Sequence, residues 1–292
     1  MSYDIACIGH ITSDVRNMMG VKTPFVGGAA FFSPCAAARS GARVYVLTKM
    51  AERDVPSLAP LREAGVDVRV LPSVETTGME NIFLTPDPDR RSLRLYGLAA
   101  PFSSDDLSLL PDASVYHMAN LFRTELSDEL IPLLASRGKL ALDVQAVLRY
   151  YEDGEVRFAP WRDQDLYLPS VQYLKADSHE ISVMTGSDDR EAAARLFYDK
   201  GAHEIVITRQ DEALAYDGER FCRAPFDPIS LVGRAGRGDT CFLAYIAWRK
   251  DHDMEESIRY AAALTSIKME TPGPFSGSIS EVLARMKTRP RG

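Results

Sequence analysis

The chain has 292 residues, with 34 Lys and Arg against 41 Asp and Glu, hence a formal charge of −7. Hydrophobic residues make up 46% and charged residues 26%, which excludes an intrinsically disordered chain. The acidic balance disfavours a nucleic-acid or membrane-surface binder, and the sequence shows neither a bilayer-spanning run nor a signal peptide, so a cytoplasmic protein is expected.

Taken in order, the chain reads as short apolar strands separated by helix-like stretches. Strands are expected over residues 4–9, 43–48, 114–119, 139–144, 171–176 and 204–208. Several are apolar at nearly every position, as in a parallel sheet covered on both faces. Helical stretches lie between them and close in Gly41, Gly138 and Gly201, each read as a left-handed stop. This alternation is the βαβ pattern of an α/β fold. Two segments break it. Residues 79–98 read as a hairpin around PDPDRR, and residues 15–25 are extended without helical periodicity. They could pair as a small lid over the strand ends, or form a surface hairpin.

Cys7, Cys35, Cys222 and Cys241 form no CxxC pair and are expected as buried reduced thiols. The five histidines show no metal-ligand spacing.

The most informative segment is ISLVGRAGRGDTCFLAYIAW, residues 229–248. The loop Gly233-Arg-Ala-Gly236-Arg-Gly238 runs into an apolar helix near Asp239 and Thr240, a geometry that binds phosphate. A Walker A loop would continue with Lys, but here Asp239 stands in that place. A carboxylate cannot neutralise phosphate, yet it can accept the proton of an attacking hydroxyl. The alternative is that Asp239 merely caps its helix. Asp177 and Glu180 have capping-box spacing, which is compatible with holding magnesium through water.

In this order the segments GHITSD, GGAAFFSPCAAARSGARVYVLTKM, TTGMENIFL, DSHE, ITRQDEALAY, GRAGRGDTCFLAYIA and AAALTSIKMETPGPF resemble the PfkB (ribokinase-like) family of carbohydrate and nucleoside kinases. Within it they look most like the myo-inositol kinase and small nucleoside kinase branch. The resemblance implies a ribokinase-like three-layer αβα sandwich with a mostly parallel central sheet and a small β lid. It implies one domain over residues 1–292, with lid insertions near 11–25 and 77–100.

It also implies an ATP- and Mg²⁺-dependent kinase acting on a hydroxyl of a polyol, sugar or nucleoside. Asp239 would be the base, and the backbone at Gly236, Arg237 and Gly238 the anion hole for the γ-phosphate. Thr12, Asp14, Gly27, Gly28 and Asn120 would face the acceptor, with Phe32 an apolar wall where relatives often carry Asn. Asp177, Thr208 and Gln210 would lie near the nucleotide, Ala262 and Ser266 against adenine, and Glu180 would order Mg²⁺ through water.

Three departures stand out. Gly233 replaces the Asp that opens the family loop, which questions a monovalent-cation site. Arg237 replaces Ala, either to bind phosphate or as a solvated charge. The turn Thr208-Arg-Gln210 lacks the family's glycines. The acceptor is expected to be neutral and hydroxyl-rich, although Arg90, Arg91 and Arg94 in the lid could offset a charge. The resemblance allows a homodimer formed lid to lid. A catalytically silent ligand-binding relative is the alternative. A Rossmann oxidoreductase is disfavoured because residues 9–14, GHITSD, lack GxGxxG.

Overall fold

The first strand shows how the layers arise. In β1 (Tyr3–Ile8) the side chains of Ile5 and Cys7 enter one apolar cluster while Ala6 and Ile8 enter another. Successive strand residues point to opposite faces, so a strand apolar throughout needs cover on both sides. A computed structural model describes residues 2–85 and 92–288. The strands that follow are β2 (Thr12–Met18), β3 (Val21–Gly27), β4 (Val44–Met50), β5 (Asp67–Pro72), β6 (Gly78–Phe83), β7 (Ser92–Gly97) and β8 (Ala113–Met118). Then come β9 (Lys139–Asp143), β10 (Arg149–Glu152), β11 (Glu155–Phe158), β12 (Val171–Asp177), β13 (Glu204–Thr208), β14 (Glu212–Tyr216) and β15 (Phe221–Pro225).

Among the described residues these strands form two sheets. The larger has nine strands in the order β15-β14-β13-β12-β9-β8-β1-β4-β5. It is parallel from β13 to β5, and β14 and β15 add an antiparallel edge. One face is covered by the helices Ala29–Arg39, Arg237–Arg249, Met254–Met269 and Ile279–Lys287. The other carries Ile131–Ala135, Ser178–Thr185 and Arg190–Asp199. The three-layer α/β sandwich is therefore as expected, and all six expected strands are present.

The two segments that broke the alternation do pair. β2 and β3 form one hairpin and β6 and β7 another, and β2 runs parallel to β6. Asp14 fastens them, its Oδ1 accepting the Met79 amide at 2.9 Å. The PDPDRR turn, with Arg90 and Arg91, lies outside the described residues. The small sheet has six strands, because β10 and β11 extend it in the order β10-β11-β7-β6-β2-β3. The sequence reading missed this pair, although Asp153 and Gly154 at its turn (φ 52° and 79°) are a standard two-residue hairpin signal.

A second correction concerns Gly138. Gly41 and Gly201 do take left-handed φ, at 92° and 105°, but Gly138 does not. It is small because the Ala113 carbonyl passes 2.9 Å from where a Cβ would stand. All four cysteines are buried free thiols, and no described helix is long and apolar enough to cross a membrane.

Candidate active site

The expected residues gather at the carboxyl ends of the parallel strands, where open α/β sheets bind ligands. Two groups form, joined by one aromatic ring.

The first group surrounds the glycine loop. Gly236 takes φ 73°, ψ 18° and is the N-cap of the Arg237–Arg249 helix, with no side-chain cap hydrogen bond. Asp239 is therefore the third residue of the helix and not its cap, which removes the capping alternative. The Arg237 amide is spent on the Arg234 carbonyl at 3.2 Å, so it does not serve an anion hole. The amides of Gly238 and Asp239 belong to the first turn, where helix geometry provides no internal acceptor. The Arg237 guanidinium leans away, with Nη1 3.4 Å from the Gln210 carbonyl and its carbon 5.9 Å from the centre of the Phe226 ring.

Burial pushes the Asp239 carboxyl up to about 6. Lys175 opposes the shift, Asp143 adds to it, and Arg149 and Lys268 also oppose it. The Thr208 hydroxyl, at the end of β13, is buried without a hydrogen-bond partner. It lies 3.5 Å from where a Cβ on Gly238 would stand.

The second group lies on the small sheet, with Thr12 and Asp14 on β2 and Gly27 on β3, and takes in Asn120 just after β8. A Cβ on Gly27 would meet Asp14 Oδ2 at 2.6 Å and Thr12 Oγ1 at 2.7 Å, so both oxygens converge on that glycine. Thr12 Oγ1 and Asn120 Oδ1 are buried without a hydrogen-bond partner. The Asn120 amide group is held by the carbonyls of Phe122 and Ala146 at 3.1 and 3.3 Å. Gly28, with φ 97°, is the N-cap of the Ala29–Arg39 helix.

Phe32, in the first turn of that helix, links the groups. It is 4% exposed, and its ring lies against Gly236, where a Cβ would approach the ring to 2.2 Å. Phe32 is thus a platform for the glycine loop.

The structure also overturns the adenine assignment. Ala262 and Ser266 are 1% and 0% exposed. A strap over residues 227–235 covers their helix. The Asp227 amide donates to Ser266 Oγ at 2.9 Å, Ile229 to Glu270 Oε1 at 3.0 Å, and Gly233 to the Met269 carbonyl at 2.9 Å. Gln210 is exposed on the turn after β13.

Asp177 and Glu180 make the full capping box, Asp177 Oδ1 to the Glu180 amide at 2.8 Å and Glu180 Oε2 to the Asp177 amide at 2.7 Å. Glu180 Oε1 is buried and makes no hydrogen bond. Among the described residues no three His, Cys, Asp or Glu side chains group to hold a metal. The donors present therefore fit a hydrated magnesium ion reached through water from Glu180, and not a caged one.

Sequence reasoning missed a buried charge network beside these residues. Lys175 Nζ lies 2.9 Å from Asp143 Oδ2 and 3.4 Å from Glu180 Oε2, and Arg149 Nη2 lies 3.9 Å from Glu180 Oε1. Lys175 and Asp143 face each other in the β12–β9 register. A lone charge near the end of an apolar strand was the available signal.

The family model for pfkB family carbohydrate kinases matches residues 5–280. The chain belongs to that family. It is therefore a phosphotransferase acting on hydroxyl groups, with the ribokinase-like α/β fold. A cytidine kinase of Thermococcus kodakarensis is 25% identical over 269 residues, 88% of this chain and 92% of the relative. A solved structure described as a pyrophosphate-dependent kinase in the ribokinase family, complexed with a pyrophosphate analog and myo-inositol, is 31% identical with a TM-score of 0.88. That match covers 96% of this chain and 99% of the other. Arabidopsis thaliana ribokinase, complexed with ribose and ATP, shares the fold at 18% identity and a TM-score of 0.75, over 98% and 99% of the two chains. In this pfkB member, Asp239 lies in one group and Thr12, Asp14, Gly27 and Asn120 in the other, while Ala262 and Ser266 are buried.

Proposed function

We propose that this chain transfers a phosphoryl group from pyrophosphate to a hydroxyl of a neutral polyol or cyclitol, with Asp239 as general base. The observation that carries the reading is the placing of Asp239. Its carboxyl is raised towards neutrality, and it is the third residue of a helix whose second residue, Gly238, lies against the orphaned Thr208 hydroxyl. An acceptor hydroxyl there loses its proton to Asp239 as its oxygen attacks the near phosphorus. The bond to the bridging oxygen breaks, and inorganic phosphate leaves. Glu180 would order the hydrated magnesium that offsets the charge of the donor.

Pyrophosphate is preferred over ATP because Ala262 and Ser266 are buried and the Asp227 amide, at the start of the strap, already occupies Ser266, leaving neither residue for a base. The similarity to a pyrophosphate-dependent kinase at 31% identity supports the same choice. The neutral acceptor follows from Asp14, whose carboxylate accepts hydroxyl protons and would repel a carboxylate, with the Thr12 hydroxyl beside it. With the Phe32 ring packed against Gly236, open and cyclic polyols stand level on the residues alone.

Two measurements test this. Inositols, linear polyols, sugars and nucleosides are offered with either pyrophosphate or ATP and magnesium, and products are identified by mass. The expected result is a phosphorylated polyol formed from pyrophosphate; turnover with ATP while pyrophosphate is inert would overturn the donor. In the second, Gly27→Ala places a methyl against Asp14 and Thr12. Acceptor kcat/KM is expected to fall about 10-fold or more, with donor binding unchanged. An unaltered acceptor KM would remove Asp14 and Thr12 from the pocket.

A further inference from the structure

One buried cation is unaccounted for by the chemistry above. Lys268, near the end of the Met254–Met269 helix, is 1% exposed. Its ammonium donates to the carbonyls of both Gly233 and Ala235, the residues flanking Arg234 just ahead of Gly236. The same nitrogen stands 4.7 Å from the centre of the Phe32 ring, the ring on which Gly236 rests. Two carbonyl oxygens and an aromatic face are what a free ammonium or potassium ion gathers around itself.

Stability alone does not explain this arrangement. Burying an ammonium is costly, and an apolar side chain of similar length would fill the helix face more cheaply. The charge is also coupled to the site. Burial pulls the Lys268 pKa down to about 8, and the Asp239 carboxylate opposes that pull. Gly233, the first residue of the loop, brings no carboxylate to draw in a free ion.

We propose that Lys268 is a tethered monovalent cation: a positioning residue whose ammonium fixes the carbonyls of the glycine loop and keeps the donor site positive, so that no free monovalent ion is needed. Lys268 acts through the loop and not by touching the acceptor. The proposal rests on reading the loop as the donor site, so its test reads donor binding separately from turnover.

Binding of a non-hydrolysable bisphosphonate is measured by calorimetry with magnesium, at constant ionic strength, in tetramethylammonium, potassium or ammonium chloride. The wild type is expected to bind equally in all three. Lys268→Ala is expected to bind about 10- to 100-fold more weakly in tetramethylammonium and to recover most of that loss in ammonium or potassium. Lys268→Met, whose stem fills the space without a charge, is expected to stay weak in every salt.

Any of three results overturns the proposal. These are a wild type that gains about tenfold in potassium or ammonium, a folded Lys268→Ala that binds normally in tetramethylammonium, and a folded Lys268→Ala that stays weak in every salt. If Lys268→Ala does not fold, the salt response of the wild type decides alone. The same series with a non-hydrolysable ATP analogue separates the two readings. A wild type that binds only that analogue corrects the donor, while its salt response still decides the role of Lys268.

Discussion

Asp239→Asn is expected to lower turnover by about 10²- to 10⁴-fold and to leave the fold intact. The substitution keeps the size of the side chain and removes the proton acceptor. No helix cap is lost with it, because Gly236 caps the helix and Asp239 makes no cap hydrogen bond. Donor binding should persist, since the Gly238 and Asp239 amides are backbone groups. With the carboxyl raised to about 6 by burial, wild-type kcat should fall as pH drops below that value, and the Asn variant should lack this limb.

Stability gives an independent check whose sign is fixed. The folded pKa lies above the unfolded one, so between roughly pH 4 and 6 the folded state holds a proton that the unfolded state has lost. Stability contributed by the group therefore declines as pH rises through that window. Above it the Asn variant should be at least as stable as the wild type, by thermal unfolding at pH 5 and 8. A folded Asn variant with near-normal turnover would refute the base assignment.

The large sheet was legible because its strands are apolar at nearly every position, and only a sheet covered on both faces accommodates that. Asp239 was legible for a related reason. A glycine-rich loop entering an apolar helix fixes the next side chain relative to a set of amides, whatever surrounds it. What escaped were contacts between distant segments. Lys175 and Asp143 meet only because β12 and β9 are neighbours in a particular register. Lys268 reaches Gly233 and Ala235 only because its helix runs behind the loop. Phe32 was placed by the Asn that relatives often carry there, and its contact with Gly236, two hundred residues on, is another that no local pattern reveals. Ala262 and Ser266 were read as small residues facing a ligand. Smallness there admits the chain's own strap, which no local pattern reveals.

Lys175→Met should destabilise the protein by about 3–5 kcal/mol at neutral pH, the largest stability loss expected from a single substitution near the site. Burial by itself would lower the pKa of this ammonium. The carboxylates of Asp143, Glu180, Asp177 and Asp239 outweigh that effect and hold it above its ordinary value. Methionine matches the stem in length and leaves no large void, so the loss reflects charge and not packing. Without Lys175, Asp143 and Glu180 become buried anions lacking their shared cation, with Arg149 at 3.9 Å the remaining positive partner of Glu180. The Glu180 carboxyl, already raised by burial and held down by Lys175, then rises further, and by the sign already given for Asp239 the stability of the variant declines as pH rises. The deficit should accordingly be greatest at pH 8 and shrink towards pH 5, read from urea unfolding of both proteins. Adding Glu180→Gln should recover part of the loss at pH 8, because it removes one of the stranded charges while keeping the capping partner of Asp177. A deficit equal at both pH values, or no recovery in the double variant, would mean that Lys175 serves the site by packing and not by charge.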